Sequence, residues 1–381
     1  MRRIRVLVID DAVVVRRLVT DVLSADPAIE VVGVAANGRI ALQKIAQLAP
    51  DIITLDIEMP EMDGLTTVTE IRKQWKQLPI IMFSTLSARG ATATLEALAR
   101  GATDYVTKPA NVGSVTAAQQ SVRAELIPRI KSLCAGLLLS PDQLAANRLP
   151  VEHAVARHTP SAGAVSTTAA KPVTLARGPI AILAIGTSTG GPNALAQLIP
   201  QLPADFPVPI VITQHMPPLF TKFLADRLHS MSPLTVREAE PGVEIEAGTV
   251  WIAPGDNHMV LRRNGEQVIA TLTKEPPENS CRPAVDVMLR SVVACYGRQV
   301  LSVILTGMGQ DGLRGSEAVY AAGGYVIAQD EHSSVVWGMP GFVARAGIAD
   351  SVTPLGTMAQ TIATRIRVAG HTRGRASALA Q

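Results

Sequence analysis

The sequence predicts an α/β protein built of two doubly wound units joined by a linker. Three observations predict this. Residues 1–123 alternate short apolar runs with helical periodicity five times. From residue 179 onward the pattern resumes with runs such as Ile180–Ile185 and Val208–Thr213, which read as strands buried on both faces. Between the two, from Pro141 to Pro179, periodicity fails and Ala, Pro, Thr and Ser dominate, the composition of a tether. The expected organisation is therefore 1–123, a linker at 124–178, a second unit at 179–369 and a flexible tail at 370–381.

In the first unit the strands are expected at Ile4–Ile9, Val31–Ala35, Ile52–Leu55, Ile80–Phe83 and Ala102–Val106, with helices such as Val13–Leu23 and Leu65–Trp75 between them. A doubly wound parallel sheet carries its site at the C-terminal strand ends. Polar residues stand at those ends: Asp10 and Asp11 after the first strand, Asp56 after the third, Ser84 after the fourth, Lys108 after the fifth. Three carboxylates on one edge repel unless a divalent cation joins them. Mg²⁺ suits the place, because it takes carboxylate oxygens and keeps waters that a phosphate can replace. Solvated, independent side chains are the competing reading for any one residue, and a poor one for all of them together.

These motifs (DD, LDIEMPEMDGL and DYVTKP) resemble a two-component receiver domain over the whole segment, a flavodoxin-like five-stranded fold. The resemblance implies that Asp56 accepts a phosphoryl group from a histidine kinase of the chemotaxis type, and that Asp10, Asp11 and Asp56 hold Mg²⁺. It also implies that Lys108 pairs with the phosphate and that Ser84 and Tyr105 form the switch pair. Ala12 stands where related chains often carry serine. Helical periodicity continues through Val122–Ile130, where Pro128 is a possible kink.

The second unit is organised around GPIAILAIGTSTGGPN, Gly178 to Asn193. Gly186, Ser188 and Gly190 fit G-x-S-x-G, the strand–turn–helix elbow that lifts a serine hydroxyl out of a sheet, and Pro192 sits where a helix begins. A turn that cradles phosphate is the alternative. His215 follows the strand Val208–Thr213, and Asp311 follows Val300–Leu305. As base and orienting acid they would complete Ser-His-Asp. Asp311 has a bland alternative as N-cap of the helix after it. The chain order Ser, His, Asp differs from that of the α/β-hydrolases. Backbone N–H groups of Thr189 and Met308, in the two glycine-rich turns, would form the oxyanion hole. Further strands are expected at Thr249–Ile252 and His258–Arg262, and helices at Leu219–Leu228 and Ala284–Ala294.

GTSTGGP, QHMPP, APGDNHM, CRPAVDVM, TGMGQDG and SVVWGMP, in this order behind a receiver, resemble the chemotaxis protein-glutamate methylesterase (CheB) family over residues 179 to about 369. The resemblance implies Ser188 as nucleophile, His215 as base, Asp311 as its partner, and Thr189 and Met308 at the oxyanion site, with no cofactor for the esterase. It implies hydrolysis of glutamate methyl esters, and deamidation of glutamines, on chemoreceptors met as a peripheral partner at the membrane. His258, Arg282, Trp337 and Met339 fall in family motifs and either shape the cleft or pack.

Composition bounds the alternatives. The 381 residues are 47% hydrophobic and 18% charged, and no apolar run reaches the ~18 residues of a membrane span. The N-terminal apolar stretch ends in two aspartates, so it reads as a strand rather than a signal peptide, and a cytoplasmic monomer is expected. Cys134, Cys281 and Cys295 lack metal-ligand spacing and read as reduced thiols. Residues 179–381 carry 15 basic and 16 acidic side chains, which argues against nucleic acid and a transcription-factor output. A non-catalytic binding module under receiver control is the other alternative, although the acidic ribose partner of a dinucleotide site is lacking.

Overall fold

The computed structural model describes residues 2–109, 114–138 and 179–378, with side chains to residue 367. The expected linker therefore falls largely outside the described residues, whereas the backbone of the expected tail is described as helix to residue 378. In the first unit, β1 (Ile4–Ile9), β2 (Ile29–Ala35), β3 (Ile52–Asp56), β4 (Ile80–Ser84) and β5 (Asp104–Thr107) form a parallel sheet in the order β2-β1-β3-β4-β5. Helices α1 (Val13–Ser24), α2 (Gly38–Leu48), α3 (Gly64–Gln74), α4 (Ala88–Ala99) and α5 (Val115–Leu133) cover its faces. Side chains cap the starts that the sequence marks: Asn37, Asp63, Ser87 and Ser114 each accept a backbone N–H from the first turn of their helix.

The boundary expected at residue 123 falls inside α5. That helix continues through Pro128 to Leu133, and Val122, Leu126, Ile127 and Ile130 bury against β1 and the strands beside it. Hydrophobic burial, worth ~1.5–3 kcal/mol for each fully buried aliphatic side chain, keeps those residues with the first unit. A short turn, α6 (Ala135–Leu138), follows.

The second unit is a seven-stranded sheet, all parallel, in the order β14-β13-β12-β6-β7-β9-β8. Its central strands, β6 (Ile182–Thr187), β7 (Ile210–Gln214) and β12 (Val300–Ile304), are buried at every position, in keeping with their largely apolar sequences. The outer strands are β8 (Thr235–Glu238), β9 (Thr249–Ile252), β13 (Tyr325–Gln329) and β14 (Ser351–Thr353). β10 (His258–Asn264) and β11 (Gln267–Thr273) form a separate antiparallel hairpin. The helices are α7 (Gly191–Leu198), α8 (Phe220–Met231), α9 (Val285–Tyr296), α10 (Leu313–Ala321), α11 (Met339–Arg345) and α12 (Leu355–Ala378), the last running past residue 369. No helix among the described residues is long and apolar enough to cross a membrane.

The two units pack against each other through α4 and β5 of the first and α7 and α8 of the second. Tyr105 stacks on Phe220 with ring centroids 5.0 Å apart, and one buried apolar cluster runs across the junction.

Candidate functional sites

At the first unit's strand ends the expected residues converge. Asp10, Asp11 and Asp56 each offer a carboxylate oxygen, and these oxygens lie within 4.8 Å of one another. Lys108 Nζ stands 2.9 Å from Asp10 Oδ2 and 2.8 Å from Asp56 Oδ1. Burial is the main force on Asp56. With the Asp10 charge beside it, burial outweighs Lys108 and the Ile57 N–H and pushes the carboxyl up to about 6. Asp10 Oδ2 is buried with Lys108 as its one partner among the described residues. Three carboxylates against one ammonium fit a hard divalent cation. Ser84, also buried, donates its hydroxyl to Gly90 O at 3.2 Å and borders a cavity of about 230 Å³ with Asp56 and Lys108.

In the second unit the elbow is built by backbone. Ser188 N donates to Thr306 O at 3.0 Å, Gly191 N donates to Ser188 O at 2.8 Å, and His215 N donates to Thr187 O at 3.2 Å. The ends of β6, β7 and β12 are thus laced together. Gly190, at φ 78°, turns the chain into α7 in the left-handed region that favours glycine. Gly307 has a different reason: a Cβ there would lie 2.9 Å from Ser188 Cβ and 2.3 Å from Met339 Sδ.

His215 Nε2 and Asp311 Oδ2 are 2.7 Å apart. Asp311 does not cap the helix that follows it, which begins after Gly312. Its carboxylate instead takes the first N–H groups of α9, from Val285 to Oδ2 at 2.6 Å and from Asp286 to Oδ1 at 3.0 Å. Burial works to raise Asp311, but His215 and those N–H groups win and hold it below the usual carboxylate range. For His215 burial works downward, and Asp311 and Cys281 overcome it, so the ring keeps its proton above the ordinary histidine range.

The other ring nitrogen faces a residue to which the sequence analysis gives no role here: Cys281 Sγ lies 3.4 Å from His215 Nδ1. Among the described residues Ser188 Oγ makes no hydrogen bond, and the N–H groups of Thr189 and Met308 donate to no described acceptor. The structure therefore joins two of the three expected catalytic side chains directly and ties the third to them through backbone. His258 packs: it is fully buried, accepts Ala284 N at Nδ1 and meets Pro276 O at Nε2. Arg282 braces a loop, bonding Asp256 and the carbonyls of Lys274 and Glu275. Trp337 donates its indole N–H to Gln329 O, and Met339 is buried.

The first unit reaches into this site. Thr189 Oγ1, on the residue after Ser188, donates to Asp104 Oδ2 at 3.1 Å, and Asp104 also pairs with Arg129 at 3.2 Å. Asn193 donates to Ala102 O at 3.4 Å and Arg227 to Leu95 O at 2.8 Å. A cavity of about 450 Å³ remains between the units, lined on one side by Tyr105, Glu125 and Arg129 and on the other by His215, Cys281 and Arg282. These contacts link residues 85 or more positions apart, a distance at which local sequence pattern carries no signal. Cys281 and Asp286 do stand within the CRPAVDVM motif.

Comparison with known proteins agrees with this division. Residues 183–362 match the CheB methylesterase family, and residues 6–120 match the response regulator receiver domain. A protein-glutamate methylesterase/protein-glutamine glutaminase of Trichodesmium erythraeum is 50% identical over 367 residues, 96% of this chain and all of that protein. A protein of the same name from a Nocardioides species is 52% identical over 355 residues, 93% of each chain. Among solved structures, the Thermotoga maritima CheB methylesterase catalytic domain is 47% identical, with a TM-score of 0.48, over 50% of this chain and 98% of that one.

Proposed function

The chain belongs to the CheB methylesterase family, in its receiver-linked form, and we propose that it removes methyl groups from receptor glutamates, and amide groups from glutamines, with Ser188 as nucleophile. The observation that carries the residue assignment is the His215–Asp311 bond at the strand ends that also hold the Ser188 elbow. Once His215 has left Cys281 and given up the proton it holds in the docked arrangement, Ser188 Oγ attacks the ester carbonyl carbon while the neutral imidazole takes the serine proton. The oxyanion is met by the N–H groups of Thr189 and Met308. Collapse expels methoxide, which takes the proton from His215 and leaves as methanol. Water then attacks the acyl-serine and gives a proton to His215, which returns it to Ser188 Oγ as the acyl bond breaks; the product leaves as the glutamate carboxylate, its remaining proton passing to solvent. For a glutamine the leaving group is ammonia. Asp311 fixes the imidazole's orientation and stabilises the imidazolium in both halves.

Before turnover the ring must turn from Cys281 towards Ser188, and substrate must reach a cleft that the receiver covers. The Thr189–Asp104 bond and the Tyr105–Phe220 stack hold the receiver there. Phosphorylation of Asp56 by a histidine kinase of the chemotaxis type adds close to two negative charges beside Lys108 and Ser84. The switch runs from Ser84 to Tyr105, and the docked population falls. Asp10, Asp11 and Asp56 would hold Mg²⁺, and the ion would supply positive charge to offset that of the phosphoryl oxygens. The protein works as a cytoplasmic monomer that meets membrane receptors peripherally.

The test is release of labelled methanol from methylated receptor membranes. Wild type should release it faster with a small-molecule phosphodonor, Asp56→Ala should not respond, and Ser188→Ala should release none above background. Release that survives Ser188→Ala would support a non-catalytic output module instead.

A further inference from the structure

Behind the His215–Asp311 pair lies a second carboxylate that the proposed chemistry leaves unused. Asp286, in the first turn of α9, is 1% exposed. It shares one amide with Asp311: Asn279 Nδ2 donates to Asp286 Oδ2 and to Asp311 Oδ1, each at 2.9 Å. The second oxygen of Asp286 accepts Gly315 N–H at 2.6 Å.

Two buried carboxylates this close would force a proton onto one of them unless donors separate them. An asparagine amide has two N–H bonds and gives one to each side. Its partners sort the oxygens of Asp311. Asn279, Asp286 N and Gly312 N occupy Oδ1, so Oδ2 is left for His215 and Val285 N. Asn279 holds this place at φ 52° and is followed by Ser280 at φ 61°, backbone that side chains other than glycine adopt at a cost.

We propose that Asp286, acting through Asn279, is a positioning residue of the esterase: it fixes the Asp311 oxygen that meets His215 and adds a second negative charge favouring the imidazolium. This rests on the assignment of Ser188, His215 and Asp311 above.

The charged groups around Asp286 are few. Asp311 faces it from the loop after β12, and Glu278 from the loop before α9, where Glu278 is paired with Arg290 at 2.8 Å. His258 of β10 acts on Glu278, and the Arg314–Glu317 pair of α10 is exposed. Burial, with Asp311 and Glu278, raises the Asp286 carboxyl against its bonds to Gly315 and Asn279. Its charge is thus present at neutral pH and lost on mild acidification.

The experiment uses the full chain with phosphodonor and reads methanol release against pH, together with the His215 ring titration by NMR. Asp286→Asn should lower kcat roughly 10–100-fold with KM changed less than about twofold, since the residue touches no substrate. Removing one negative charge destabilises the imidazolium, so the acid limb and the His215 titration should both move to lower pH by at least about half a unit. Asn279→Ala should cost a similar factor, and the double variant little more than either single one, because the two act as a unit. It also reads the same coupling if Asp286→Asn folds poorly.

Variants that lose thermal stability while their pH limb and His215 titration superimpose on wild type would overturn the positioning role. So would fully additive losses. If Ser188→Ala abolishes release and the profiles still superimpose, the positioning role alone fails. Release that survives Ser188→Ala removes the assignment beneath it.

Discussion

The receiver and the esterase both place an aspartate at the end of a buried parallel strand, and they treat it in opposite ways. Around Asp56, the Lys108 ammonium is shared by Asp10 and Asp56, with the carboxylate of Asp11 close beside them. Around Asp311, one carboxylate receives four N–H donors besides the His215 ring. Burial alone raises both. Asp56 stays raised, to about 6, and Asp311 ends below its ordinary value. The difference teaches what each site awaits. The first is short of positive charge, which a divalent cation would supply before the site takes on the further negative charge of a phosphoryl group. The second is already satisfied, and can hold an imidazole in place through a reaction without rearranging itself.

The largest effect should come from spoiling the satisfied site. Asp311→Asn brings an amide N–H towards His215 or towards the α9 N–H groups, so one donor must face another. Methanol release should fall by about 10³-fold or more, with the fold kept by circular dichroism. A loss under tenfold would mean that the carboxylate's orientation is not needed.

Asp56→Asn tests the deficient site in the other direction. The folded chain binds the Asp56 proton more tightly than the unfolded one, so the ionised carboxylate costs stability. That cost grows between pH ~4 and pH ~6 and is then constant, amounting to about 3 kcal/mol at most from a shift of 3.8 to about 6. Without metal near neutral pH, Asp56→Asn should therefore raise the receiver's Tm by roughly 4–10 °C. The gain should shrink below pH ~5, and again when millimolar Mg²⁺ stabilises the wild type. An unchanged or lower Tm in EDTA would show that Lys108 already balances the site.

The smallest effect concerns the junction that couples the two sites. Tyr105→Ala removes the stack on Phe220. Losing about 1 kcal/mol of docking should raise methanol release without phosphodonor roughly fivefold, and losing the switch tyrosine should shrink the further rise on phosphorylation. Equal basal rates would show that the stack does not keep the cleft closed.

Much of this was legible from residue pattern alone, for a physical reason. β1 runs Ile4–Ile9 and β9 Thr249–Ile252 as expected, and the fully buried β6, β7 and β12 lie within two residues of their expected bounds. The central strands of each sheet announce themselves, and the turns that follow them carry the chemistry. So Asp10, Asp56, Lys108, Ser188, His215 and Asp311 are all found at strand ends. The expected strands do not include β8, TVRE, or β14, SVT, which are short edge strands with little apolar signal, nor β11, QVIATLT, nor the buried β13, YVIAQ. Asn279 as a bridge is not legible either. Its role depends on a left-handed loop conformation and on two carboxylates 7 and 32 positions away. The Asp104–Thr189 contact was likewise out of reach, since it exists only once two separately folded sheets meet.

The most direct test of the whole account is covalent labelling of the full chain by a serine-directed fluorophosphonate, mapped by mass spectrometry with and without phosphodonor. The account predicts a single adduct on Ser188 that forms several-fold faster once Asp56 is phosphorylated. No adduct at Ser188, or the same rate in both conditions, would contradict it.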